Sequence, residues 1–241
     1  MPTSIRRREI AYRIARTYID EMDTTSMILV GSAALGNSEE DSDIDIYGTY
    51  RAKPTAQDWN RISSILGLDR KAVVKCEDPE ALTAALRVEG VPVFVAFAPE
   101  RYALDIAKGY ETEIGTEAEV GIASFAYGII LYDPYGIWRR VKECLVYTEE
   151  IQSKVMSTLF EELEKTDSAS KLTEISLRLI LAKNKLFYGR EKDAWYMLED
   201  LIPSAIRASL GRLQTIQSEQ FKSLKQVLIS SLKSFLIKGL S

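Results

Sequence analysis

Histidine is absent from all 241 residues. That excludes a Ser-His-Asp or Cys-His triad, a His-ligated zinc centre and imidazole acid–base catalysis together. Cysteine is nearly absent too: Cys76 and Cys144 stand far apart with no Cys-x-x-Cys. A disulfide framework is therefore excluded, and a reduced intracellular setting is expected. The N-terminal stretch MPTSIRRREIAYRIARTYIDEM is basic, but acids interrupt it and no apolar run follows. It reads as neither a secretory leader nor a membrane span, so the expectation is a cytoplasmic protein with no membrane partner.

What is present is the composition of a globular chain. Hydrophobic residues make up 46% and charged residues 27%, which excludes disordered and fibrous classes. The length allows one large domain or two modest ones. A net charge of −4 gives no reason to expect a duplex nucleic-acid partner. The charge is unevenly placed, since residues 171–241 carry 12 Lys and Arg against 6 Asp and Glu. An acidic first part and a basic second part suggest two units with different electrostatic tasks.

Periodicity separates the same two parts. Ile10, Ile14, Tyr18 and Met22 recur every four residues and predict an amphipathic helix over 4–22. SMILVG reads as a buried strand ended by Gly31, and SDIDIYGTY alternates as a half-buried strand. A helix is expected from Asp58 to Leu66 and a second from Pro79 to Val88. Strands are expected at VPVFVAF and YGIILYDPYG. From Ile137 strand signals vanish, and helical spacing runs through 137–148, 150–165, 171–188, 193–210 and 217–238, with Pro203 able to kink the fourth. The expected class is α+β: a small mixed sheet with flanking helices over residues 1–136, then an all-α helical bundle over 137–241.

The chemistry concentrates in LVGSAALGNSEEDSDIDIYG, residues 29–48. Gly31 allows a sharp turn and a close backbone approach to a ligand. Ser32 opens a short helical turn, Ala33 to Leu35, whose free N–H groups suit phosphate, and Gly36 and Asn37 close it. Asp43 and Asp45 are two residues apart on a strand, so both emerge on one face, roughly 7 Å apart by backbone rise. Two such carboxylates suit Mg²⁺, a hard cation that shares its coordination sphere with substrate phosphates. No histidine is needed for that chemistry.

The order strand, Gly31-Ser32, Gly36, then Ser42-Asp43-Ile44-Asp45-Ile46 on a second strand resembles the DNA polymerase β-like nucleotidyltransferase superfamily, particularly its minimal members. The resemblance is sharp over residues 26–48 and rests on element order to about residue 137. It implies a nucleotidyltransferase domain over 1–136, with Gly31, Ser32, Gly36 and Ser42 holding a nucleoside triphosphate, ATP or another. Asp43 and Asp45 would be the metal ligands and catalytic carboxylates. The implied activity moves a nucleoside monophosphate to a hydroxyl of a small molecule or protein in a Mg²⁺-dependent step. A homodimer is compatible with this reading.

That superfamily usually has a third carboxylate on a later strand, and the strand here, Val91–Phe97, has no acid. Alternation turns either Val93 and Val95 or Phe94 and Ala96 to the site, and Glu89, Glu100 and Asp105 read more simply as surface or helix-start charges. Asp133 before its proline reads as a turn or cap residue. The leading reading of these residues is an active transferase, and the alternative is a catalytically degenerate nucleotide- or partner-binding protein that lacks the third carboxylate. The helical part resembles the C-terminal domain of kanamycin and lincosamide nucleotidyltransferases. Lys183, Lys185 and Arg190 are candidate phosphate contacts there, and Trp195 and Tyr196 are expected to pack. Leu224, Val227, Leu228, Leu232 and Phe235 predict the buried stripe of a terminal bundle helix.

Overall fold

In the computed structural model, which describes residues 3–68, 73–76, 80–114, 119–215 and 218–237, the spacing of Ile10, Ile14 and Tyr18 becomes the buried stripe of α1 (Thr3–Glu21). The chain continues through β1 (Thr24–Val30), the one-turn α2 (Gly31–Leu35), β2 (Ile44–Tyr50) and α3 (Ala56–Ile65). Next come β3 (Val73–Cys76), β4 (Leu82–Val88), β5 (Val91–Pro99), α4 (Glu100–Glu113), α5 (Glu119–Ala126) and β6 (Ile129–Tyr132). Helices α6 (Ile137–Cys144), α7 (Glu149–Lys165), α8 (Ala169–Lys183), α9 (Glu191–Met197), α10 (Ser204–Leu213) and α11 (Ser218–Ile237) complete it. The class is α+β.

The strands form one mixed sheet in the order β3-β4-β5-β2-β1-β6. β2 and β5 run parallel, while the other neighbours are antiparallel. One face buries Ile44, Ile46, Val93, Val95, Phe97 and Ala84 with Ile10, Ile14 and Tyr18 of α1 and Trp59 and Ile62 of α3. At its centre the Tyr18 ring stacks on Phe97 at 5.2 Å, and Trp59 meets Tyr18 edge-on at 5.6 Å. Gly48 makes room for that cluster, because a Cβ there would lie well inside van der Waals contact of the Phe97 ring. Alternation sends Asp45 and Tyr47 of β2, and Phe94 and Ala96 of β5, to the opposite face.

The chain divides into two compact units: Met1–Tyr110 with Ser124–Val146, and Glu111–Ala123 with Tyr147–Ser241. Helix α6 falls in the first unit and residues 119–123 in the second.

The helix expected over 79–88 is a correction. Residues 82–88 form β4, and positions 77–79 lie outside the described residues. ALTAALRV has the composition of a helix, but Glu89 and Gly90 both take positive φ (51° and 80°). That two-residue turn pairs Val88 with Val91 and commits β4 to a hairpin with β5. The segment expected as one helix over 193–210 is α9 and α10, separated before Pro203, which stands at the start of α10. Among the described residues after 137 there is no strand, and no helix is long and apolar enough to cross a membrane.

The helical unit is built around α8, in which every residue from Ile175 to Ala182 is buried. Its buried cation, Arg178, donates to the carboxylate of buried Glu119 at 3.2 Å and to Glu174 at 3.3 Å. Glu119 also accepts the Tyr188 backbone N–H at 2.9 Å. In α11 the buried stripe is Leu224, Leu228, Leu232 and Leu236, while Val227 is exposed and Phe235 half-buried.

Candidate functional site

The Gly31–Asp45 segment is held from α1 by two adjacent arginines. Arg8 donates from Nε and Nη2 to the carbonyls of Ala33 and Ala34, each at 2.8 Å. Arg7, only 4% exposed, donates from Nε to Ser42 O at 2.9 Å and from Nη2 to Glu40 O at 2.8 Å. One guanidinium therefore fixes the end of α2, and the other fixes the approach to Asp43. Neither is among the residues that the sequence motif singles out. The available signal was Arg7's place three residues before Ile10, on the apolar stripe of α1, where an arginine must find acceptors.

Within the segment, Gly31 (φ 69°) and Gly36 (φ 98°) take the left-handed conformation that side chains resist. Between them lies one helical turn, closed by the Gly36 and Asn37 N–H groups on Ser32 O at 2.9 and 3.2 Å. Ser32 is buried, and its hydroxyl receives that of Ser38 at 3.4 Å. Ser42 is also buried. Its hydroxyl accepts the Glu39 N–H at 2.9 Å and its N–H returns to Glu39 O at 3.2 Å, so it staples the loop that delivers Asp43.

Asp43 immediately precedes β2 and Asp45 is its second residue; both are half-buried. Val30, which leads into Gly31, pairs with Asp45 across β1–β2. The glycine turn and the carboxylate strand are therefore neighbours at one end of the sheet. On the other side, β5 presents Phe94 directly across from Asp45 in the parallel register. Phe94 is 47% exposed, whereas Val93 and Val95 are 1% and 0% exposed. The alternation left open by the sequence is settled: Phe94 and Ala96 share the Asp45 face. With Tyr47 and Thr83 they line a cavity of about 250 Å³ beside Asp45. Burial raises the Tyr47 phenol first, and the Asp45 charge adds to it, so that hydroxyl stays protonated.

None of the other candidate acids lies beside Asp45. Glu89 sits in the β4–β5 turn, hydrogen-bonded to Arg13 at 2.7 Å and near Arg6 at 3.6 Å, and those arginines hold its carboxyl below the usual range. Glu100 follows Pro99, which pairs with Tyr50, about 16 Å from Asp45 by strand rise. Asp105 pairs with Lys108 at 3.0 Å. Asp133 caps α6, accepting the Ile137 and Arg139 N–H groups at 2.6 and 3.0 Å.

The chemistry of the donor set limits what it can hold. Among the described residues no three or more His, Cys, Asp or Glu side chains cluster so as to hold a metal. One Mg²⁺ sharing its coordination sphere with phosphate and water would need no more than two carboxylates of the kind Asp43 and Asp45 offer. In the helical unit, Lys183 donates to Phe235 O, Lys185 pairs with Glu149 at 3.3 Å and Arg190 pairs with Asp193 at 3.1 Å. All three cations therefore have partners within their own unit. Trp195 is half-buried, while Tyr196 is exposed rather than packed.

No protein-family model matches the chain, and no curated protein matches it. Among solved structures it is similar to a nucleotidyltransferase-like protein from Exiguobacterium sibiricum 255-15, with 12% identity and a TM-score of 0.40 over 95% of this chain and 75% of that one. A likeness at that level carries no functional assignment, which has to come from the site's own residues.

Proposed function

We propose that the sheet unit binds a nucleoside triphosphate, ATP first, together with one Mg²⁺. Asp43 and Asp45 hold the cation, and the Gly31–Gly36 turn with Ser32 lies against the phosphates. This is a nucleotidyltransferase-type site that has kept binding and lost efficient transfer. The bound cation would supply charge neutralisation for the phosphates. The chain's own residues do the rest: Arg7 and Arg8 fix the loop that carries Asp43, and β2 carries Asp45.

The observation carrying this reading is Phe94, which occupies the register position across from Asp45 where the resemblance calls for a third carboxylate. A phenyl ring neither ligates a metal nor takes a proton from an attacking hydroxyl. The fully active alternative, transfer to a small-molecule or protein hydroxyl, needs an acid from elsewhere within reach of the pair. The deciding experiment combines calorimetry of ATP with Mg²⁺ and a pyrophosphate-release assay. Mg²⁺-dependent binding without turnover supports the proposal, and pyrophosphate release abolished by Asp45→Asn supports the transferase instead.

A further inference from the structure

We propose that Lys142 on α6 is the cationic arm of this site and contacts the polyphosphate of the bound ligand. The inference rests on the nucleotide reading and adds a residue from an element that the 29–48 motif does not contain.

The position of Lys142 is set by three contacts. Trp138 and Lys142 are one helical turn apart and so share a face of α6. Trp138 stacks on Phe125 at 5.2 Å and 9°, and Phe125 meets Tyr47 edge-on at 5.1 Å. Tyr47 lies two residues beyond Asp45 on β2, which places this face of α6 on the Asp45 side of the sheet. The Lys142 amine donates to Gly128 O at 2.7 Å. Leu29 pairs with Ile129, so Gly128 lies beside Val30, and Val30 pairs with Asp45. The amine is thereby anchored about two strand spacings, ~10 Å, from the Asp45 backbone, where β1 gives way to Gly31.

The electrostatics ask for an anion. Lys142 is half-buried, and loss of water lowers its amine from the usual lysine range. Among the described residues it makes no ion pair; its partner is a single neutral carbonyl. By contrast, Lys171, Lys185, Lys225 and Lys233 each face a carboxylate. An ammonium has three donors, and one is used here. The indole N–H of Trp138, only 2% exposed, also has no acceptor among the described residues. Two desolvated donors on one helix face, on the same side of the sheet as Asp45, match the charge of a metal-bound polyphosphate.

The test titrates the full chain with Mg²⁺–ATP and with Mg²⁺–tripolyphosphate, comparing wild type, Lys142→Met and Lys142→Arg. A charge-assisted contact predicts that Lys142→Met weakens both ligands by about tenfold or more, while Lys142→Arg keeps most of the affinity. Thermal unfolding of Lys142→Met checks that the Gly128 anchor is not needed for folding; if that variant unfolds, the Arg variant and the dependence of wild-type affinity on phosphate number carry the test. Wild-type ATP affinity in Lys142→Met overturns the inference and leaves the nucleotide reading standing. Lys142-dependent tripolyphosphate binding without ATP binding does the reverse. If wild type binds neither ligand, both are overturned.

Discussion

Asp45 and Phe94 face each other across the parallel β2–β5 pair, an acid and an exposed aromatic ring on the same side of the sheet. Phe94→Asp puts a carboxylate where the ring is. Without metal the new carboxylate faces Asp45 and should cost about 1 kcal/mol through like-charge repulsion across the strand pair. It should tighten Mg²⁺ binding by about tenfold, as expected when an oxygen ligand is added to two. Calorimetry with Mg²⁺ alone reads this; an unchanged metal affinity would mean that Phe94 does not stand in for a ligand.

Arg7 should matter more than any other charge on α1. Its guanidinium is buried and satisfies two loop carbonyls. Arg7→Ala should cost about 2–3 kcal/mol in chemical unfolding, since charge-assisted bonds are lost in a dry setting. Arg7→Lys should recover only part, because an ammonium cannot reproduce the fork. In a variant that still folds, nucleotide affinity should fall with the order of the 40–42 loop. Arg13→Ala, which removes an exposed pair with Glu89, serves as the weak control.

Gly48 is a packing prediction independent of function. A methyl group there runs into the Phe97 ring, and Phe97 is locked between Tyr18 and Trp59. Gly48→Ala should destabilise by about 1–3 kcal/mol through overpacking. Gly48→Ala combined with Phe97→Leu should recover part of the loss; simple additivity of the two costs would argue against a direct clash.

The helical unit gives a pH prediction. Burial first, with the Glu174 charge next, pushes the Tyr188 phenol up to about 12 from its usual 10.0. A group whose folded pKa is raised contributes stability below its unfolded value and loses it as pH climbs through the folded value. Stability should therefore fall from pH 10 to about 12, and less steeply in Tyr188→Phe. Denaturant midpoints across that window, compared between the two proteins, check the sign.

Sequence pattern foretold the parts of the fold whose signal is local. The four-residue spacing in α1, the alternation in SDIDIYG and the long helices after 137 needed no tertiary information. The Pro79–Val88 segment misleads because Ala, Leu and Glu favour a helix, while its strand depends on the Glu89–Gly90 turn and on β5 as a partner. The Gly31 turn and the place of Asp45 on β2 were legible because turn chemistry and strand period fix them, whereas Asp43, expected on the same strand, stands just before it. Three features depended on register or contact: Phe94 as the neighbour of Asp45, Arg7 as the anchor of the loop and Lys142 beside Gly128. Lys183 and Lys185 drew attention through the resemblance of the helical part, and the structure gives them other partners.

The most direct test of the account is calorimetry of wild type and Asp45→Asn with ATP, with and without Mg²⁺, alongside a pyrophosphate assay on the same samples. The account predicts wild-type binding that requires Mg²⁺, weakened at least about tenfold in Asp45→Asn, with no pyrophosphate released. Nucleotide binding indifferent to both Mg²⁺ and Asp45, or robust pyrophosphate release by wild type, would contradict it.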